Sequence, residues 1–283
     1  EIRTGVKELK SLSSNPIVCE TPEQTLGNWL TPTSLFYIRS HFESPVISEF
    51  SGSDWTVSIS GSVANPYEFC VGDLSVLPKQ TFPVTLECAG NNRSDLYPKV
   101  PGNPFQSGAV SNAVWSGVPL NDVLTKANVN VDTVEFLFEG LDKGVPESGL
   151  ESQPYMRSLP VEVARHPDTL LAYEMNGETL TLDHGFPLRL IVPDWYGMAS
   201  VKWLTAITAI TQSFKGYFQR NRYVFRDFIG NEKPVCEIKI KSHITFPQHE
   251  MKLNSEIVRL SGFALSGRSA IELVEISVDG GKA

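Results

Sequence analysis

The chain has 283 residues, room for one large domain or for one domain and a smaller second unit. Lys and Arg number 24 against 32 Asp and Glu, and this net charge of −8 lacks the basic field that a phosphate backbone or an anionic membrane surface requires, so nucleic acid is not an expected partner. With 41% hydrophobic and 20% charged residues the composition is that of a folded globule, and the longest near-apolar stretch, 188–193, is interrupted by Arg189 and falls far short of the roughly 20 residues of a membrane span.

The start, Glu1-Ile2-Arg3-Thr4, carries neither an initiator Met nor an apolar leader, as expected of a processed or partial chain. From there, 19 prolines and 21 glycines cut the sequence into short runs that alternate at period two more often than they repeat at 3.6. The fold class expected is α+β, mainly β. An apolar run at 35–38 reads as a strand ending at Arg39, and clean alternation predicts further strands at 55–63, 82–86, 134–138 and 188–192. Pro119 opens a short helix over 120–127 with Leu120, Val123, Leu124 and Ala127 on one face, and Pro160 opens another over 161–165. A break near 228–234 separates residues 1–229 from 230–283. Beyond it, 237–240, 257–260 and 270–278 read as sandwich-type strands, closed by the hairpin-turn chemistry of Asp279-Gly280-Gly281. No return strand follows that turn, so the second unit reads as a truncated β-sandwich.

The four cysteines, at 19, 70, 88 and 236, form no Cys-x-x-Cys pair and no zinc-finger spacing. Cys88 differs from the rest in its surroundings, Cys88-Ala89-Gly90-Asn91-Asn92-Arg93-Ser94, where a predicted strand ends and a turn begins. Gly90 permits close backbone approach to a ligand, Asn91, Asn92 and Ser94 supply donors, and the Arg93 cation favours thiolate over thiol. A thiolate is a soft ligand suited to a redox metal.

This segment resembles the cysteine signature of the sulfite oxidase and assimilatory nitrate reductase family of molybdenum cofactor enzymes. Five further segments follow the family's order, beginning at Phe36-Tyr37-Ile38-Arg39-Ser40-His41, 115–124, 171–177, Asp183-His184-Gly185-Phe186-Pro187-Leu188-Arg189 and 195–204. Segments 261–268 and 274–281 are similar to the family's immunoglobulin-like dimerisation domain. The resemblance implies a molybdopterin-binding catalytic domain over 1–229 and part of an immunoglobulin-like β-sandwich over 230–283. It implies molybdenum ligated by Cys88, and a pterin with its phosphate held by Ile38, Arg39, Ser40, His41, Asp142, His184, Arg189, Ser200 and Lys202. Arg39 would bind the small oxyanion substrate sulfite, Arg268 would supply a second anion-binding guanidinium from the dimerisation domain, and Tyr223 would hydrogen-bond beside the metal. A homodimer of the full-length protein and an external electron acceptor such as a cytochrome c or oxygen are also implied, and the family lends a lean towards the periplasm. Phe105, Ser40 and Asn92 depart from the tryptophan, asparagine and basic residue usual there, and these changes bear on substrate identity. No haem-attachment motif and no haem or flavin domain is evident in the sequence. Within the family, a sulfane dehydrogenase or a nitrate reductase domain is the alternative; outside it, a non-catalytic β-sandwich binding module is.

Overall fold

The structure, a computed structural model, describes residues 8–47, 52–254 and 257–282; the start at Glu1–Thr4 lies outside them. Two five-stranded sheets form the body. In the first, Thr56–Gly61 runs between Tyr67–Cys70 and Leu204–Ile210, followed by Glu135–Gly144 and Gln153–Pro160. Its pairing is antiparallel except where Leu204–Ile210 meets Thr56–Gly61 in parallel, which requires the chain to cross the molecule between them. The second contains Gln80–Glu87, Val110–Pro119 and Leu170–Met175, with Glu178–Thr179 and Arg189–Ile191 paired to the last of these. A three-stranded sheet of Lys10–Ser14, Ile17–Glu20 and Ile38–Arg39 lies alongside.

Alternation explains these strands. In Thr56–Gly61, Val57 and Ile59 point inward at 0% and 2% exposure while Thr56, Ser58 and Ser60 take the other, more exposed face. Helix Leu120–Ala127 buries the four residues its 3.6 period predicts and ends on Asn128 in the left-handed conformation, φ 52°. The second predicted helix is Val161–Ala164. Side chains from both faces close two hydrophobic clusters, one around Phe136, Phe138, Trp203 and Ile207 and one around Phe36, Phe105 and Trp115.

Two expectations are corrected. Residues 35–38 are not a full strand: a 3₁₀ turn, Thr33–Leu35, precedes the two-residue strand Ile38–Arg39, because Pro32 sets up a tight turn. In the second unit, 237–240, 257–260 and 270–278 carry no strand of their own; pairing falls instead on Lys241–Phe246 with Ser261–Leu265. Among the described residues no strand pairs with 270–278, and Leu273, Val274, Ile276 and Val278 are exposed. The break expected between 229 and 230 falls in the turn of the hairpin Val224–Arg226 with Glu232–Pro234, where Gly230 takes φ 88°. Among the described residues no helix is long and apolar enough to cross a membrane.

Candidate active site

Strand ends and loops from along the chain converge on one cavity that opens to solvent, enclosing about 650 Å³ of space between atoms with that opening included. Cys88 enters it directly after Gln80–Glu87, with its N–H donating to Ala109 O at 2.9 Å. The turn that follows closes through Asn91 N–H to Cys88 O (2.9 Å) and puts Asn92 in the left-handed region at φ 63°. Gly90 N–H reaches Cys88 Sγ at 3.4 Å. The Arg93 guanidinium packs against Gly90, where a Cβ would sit 2.6 Å from Nη1, so a larger residue there would displace the Arg93 side chain. Burial pushes the Cys88 thiol up; Arg39, the Gly90 N–H and Arg93 oppose that in decreasing order, so Arg93 does not by itself yield a thiolate in the cavity as it stands.

Opposite Cys88, the pairing of Ile38–Arg39 with Ile17–Glu20 directs Arg39 inward, and its Nη1 donates to Ser40 O. Lys202 Nζ donates to Ser40 Oγ at 2.7 Å and to Asp183 O at 2.9 Å and sits 4.2 Å from the Trp203 ring centroid. Arg189 is 5% exposed; Nη1 and Nη2 donate to His184 O (2.9 Å) and Ser200 O (3.0 Å), its plane lies over Trp115, and Nε has no partner. His184, in a 3₁₀ turn ended by Gly185 at φ 103°, donates Nε2–H to Thr33 O at 3.1 Å, which leaves Nδ1 unprotonated. Burial and Arg189 depress its pKa to about 3, so it is a neutral imidazole. His41 is also held well below the usual imidazole range by burial and by Arg39; it stacks on Tyr155 at 4.5 Å and its Nε2 meets Tyr223 Oη at 2.7 Å. Tyr223 hangs from a π-helical turn, Phe218–Arg222, whose Phe218 carbonyl accepts from the fully buried Arg157. Ser200 Oγ is occupied by the Val192 N–H at 3.1 Å.

The charge balance of this cavity is uneven. Among the described residues Arg39, Arg189 and Lys202 make no ion pair, and the lining acids are Asp142 and Asp183. Burial raises the Asp142 carboxyl towards neutrality and lowers the Lys202 ammonium. A buried guanidinium satisfied only by backbone carbonyls, with an orphaned Nε, demands an anion, which is the chemistry of a phosphate-bearing cofactor. No cluster of three or more His, Cys, Asp or Glu exists among the described residues that would hold a metal unaided. A single thiol beside cationic and amide donors therefore fits a metal whose other ligands arrive with an organic cofactor.

A second, polar cavity shares Arg39, Cys88, Ala89 and Tyr223 with the first and adds Arg93 and Arg222, with Phe105 in its wall and no carboxylate in its lining. Three guanidinium groups and no lining carboxylate make it electrostatically favourable to an anion beside the sulfur. The structure thus gathers every candidate residue of the sequence reading except one: Arg268 contacts Glu237 at 3.4 Å, half exposed, and lines neither cavity. Arg222, Tyr155, Trp115 and Arg157 were not anticipated. Arg222 adjoins Tyr223 and was open to notice; Tyr155 and Arg157 lie in a strand, Gln153–Pro160, whose pattern carries no sign of the cavity.

Comparison with known proteins agrees with this chemistry. Residues 41–218 match the oxidoreductase molybdopterin binding domain. The chain is 35% identical over 295 residues to a sulfite oxidase of Arabidopsis thaliana, covering 97% of this chain and 74% of that one. It is 34% identical to a nitrate reductase [NADH] of Solanum lycopersicum, covering 97% of this chain and 33% of the relative. It is also 34% identical to the mitochondrial sulfite oxidase of Mus musculus, of which it spans 52%. The crystal structure of the sulfane dehydrogenase SoxCD from Paracoccus pantotrophus superposes with a TM-score of 0.83 at 27% identity, over 99% of this chain and 73% of that one. With its single thiol facing an anion-seeking cavity, the chain belongs to the sulfite oxidase and nitrate reductase family of molybdopterin-dependent oxidoreductases.

Proposed function

We propose that this protein oxidises sulfite to sulfate, with the balance SO₃²⁻ + H₂O → SO₄²⁻ + 2 H⁺ + 2 e⁻. The carrying observation is the second cavity, in which Arg39, Arg93 and Arg222 surround the approach to Cys88 without an acidic residue in its lining. A small, strongly charged oxyanion matches three guanidinium groups better than a neutral substrate does. When bound, the molybdenum cofactor supplies the oxygen-atom and two-electron chemistry.

The chain's own residues hold, orient and screen. Cys88 supplies the metal ligand. Arg189, Lys202, Ser200 and His184 take the phosphate side of the pterin, with Asp142 accepting from its N–H groups and Ile38, Ser40 and His41 lining its edge. Arg39 orients the substrate with the donors Ser40 O leaves free. Tyr223, kept neutral by burial, donates towards a substrate oxygen or to His41. Electrons leave to an external acceptor such as a cytochrome c or oxygen. Residues 230–283 belong, on this reading, to an immunoglobulin-like unit that pairs two chains; support comes from the antiparallel pair Lys241–Phe246 with Ser261–Leu265 and from the exposed Leu273, Val274, Ile276 and Val278. In that dimer Arg268, which contacts Glu237 within its own chain, would serve a site other than the one described. Light scattering tests the assembly, and a monomer at micromolar concentration would refute it.

A sulfane dehydrogenase is the second reading, favoured by the SoxCD superposition and by Phe105 in the cavity wall. Steady-state assays of the metal-loaded protein with sulfite, a thiosulfate-derived sulfane and nitrate decide. Turnover of sulfite at least tenfold more efficient than the others is expected; preference for either alternative overturns the assignment.

A further inference from the structure

Glu87 immediately precedes Cys88, is 2% exposed, and keeps one carboxylate oxygen, Oε2, with no partner. Its other oxygen accepts from Asn91 Nδ2 at 3.0 Å and from Lys241 Nζ at 2.7 Å. The same ammonium donates to Asn92 Oδ1 at 2.9 Å. Lys241 thus grips the cysteine turn on both sides of the sulfur. Asn92 is the residue in the left-handed conformation, and a conformation that non-glycine residues rarely adopt persists where surrounding contacts over-determine it. The opposite flank of the turn is already fixed: Asn91 Oδ1 accepts from Ala109 N–H at 3.0 Å and Asn92 N–H donates to Gln106 O at 2.7 Å. Lys241 comes from elsewhere in the chain. It opens strand Lys241–Phe246 of the C-terminal hairpin, where it pairs with Leu265, 154 residues beyond Glu87.

We propose that Lys241 is a positioning residue for the cysteine turn: by holding Glu87 and Asn92 together it fixes the direction of Cys88 Sγ and makes the geometry of the site depend on the seating of the C-terminal hairpin. The inference rests on the reading of Cys88 as metal ligand for its functional consequence, though the locking of the turn stands independently of it. Lys241 also neutralises a carboxylate placed beside the sulfur, so its removal leaves an uncompensated buried charge next to the ligand. It touches no lining residue of either cavity other than through the turn, which sets it apart from Arg39 and Arg93.

The test compares full-length Lys241→Met, Lys241→Arg and the double variant Lys241→Met/Glu87→Gln with the parent. Amide exchange across 89–95, followed by mass spectrometry, should accelerate roughly tenfold in Lys241→Met, while exchange in Leu170–Met175 stays unchanged as the control for global stability. In cofactor-free protein, alkylation of Cys88 by iodoacetamide should rise several-fold. In metal-loaded protein, kcat should fall about tenfold, the KM for sulfite should change by less than about threefold, and the spectroscopic signature of the bound metal should broaden. Lys241→Arg should recover most of the loss, because a guanidinium spans the same two acceptors. The double variant removes the orphaned charge and guards against simple misfolding: it should restore stability and leave the turn mobile. Unchanged exchange and alkylation in Lys241→Met would overturn the proposal. If exchange rises while Cys88→Ser still binds molybdenum, the lock stands and the ligand reading fails.

Discussion

Replacing Arg39 by Met isolates the substrate-binding claim, because the side chain combines a free charge with little structural work. Its one intramolecular bond from Nη1, to Ser40 O, joins adjacent residues, no acid pairs with it among the described residues, and it is part-buried at the junction of both cavities. Of the five guanidinium N–H donors, four are left for an anion. Losing a hydrogen bond to a charged group costs about 1.5–3 kcal/mol, which converts to a roughly 10- to 150-fold loss of kcat/KM for sulfite. Because Arg93 and Arg222 remain in the cavity, the loss should not approach complete inactivation. Folding stability should move by no more than about 0.5 kcal/mol, since a substitution that breaks no core contact or buried network has little effect. Lys in place of Met retains the charge and loses the planar fork, so it should fall between the two. Steady-state kinetics at fixed ionic strength, paired with chemical denaturation, read both quantities. A kcat/KM within twofold of the parent, with molybdenum content unchanged, would remove Arg39 from the substrate site.

Tyr223→Phe deletes the 2.7 Å contact with His41 and should lower kcat at least tenfold while costing only about 0.5–1.5 kcal/mol of stability, measured by turnover and denaturation. Arg157→Met should instead act on stability, losing about 2–4 kcal/mol because the carbonyls of Phe218 and Val235 are left unpaired in the interior; a midpoint shift in urea checks it. His184 is neutral in the fold, with a pKa of about 3 against about 6.5 when unfolded, so the unfolded chain binds the extra proton between those values and stability falls as pH drops. His184→Gln should therefore flatten the stability slope by up to about 1.4 kcal/mol per pH unit between pH 6 and 4, and an unaltered slope would show that this imidazole titrates normally.

Much of the site was legible because its chemistry is local. The turn after Cys88, the His184-to-Arg189 loop and the Ser200–Lys202 segment each announce donors beside a glycine, and each lines the same cavity. Strands with one buried face were equally readable, as Thr56–Gly61 and Gln80–Glu87 illustrate. Leu170–Met175 is central in its sheet and opens with three consecutive buried residues, which erases the alternation by which strands are recognised. Alternation at 270–278 misled for the opposite reason: periodicity expresses a preference for a pleated surface and supplies no partner to pair with. Arg93 beside Cys88 does favour the thiolate, as the sequence indicates; what sequence does not show is the depth of burial, which pushes the thiol up by more. Arg157 and Lys241 act across separations of 61 and 154 residues, and no local pattern encodes such contacts.

The central claim is that Cys88 is the protein's ligand to a molybdenum cofactor. Elemental analysis of the purified chain, parent and Cys88→Ser side by side with phosphate release from the bound pterin as an independent measure of cofactor, tests it most directly. About one molybdenum per parent chain is predicted, with metal and turnover sharply reduced in Cys88→Ser while the fold persists, since a neutral hydroxyl replaces a soft thiolate poorly. A parent chain free of molybdenum after expression with the cofactor available, or a fully metal-loaded and fully active Cys88→Ser, would contradict the account.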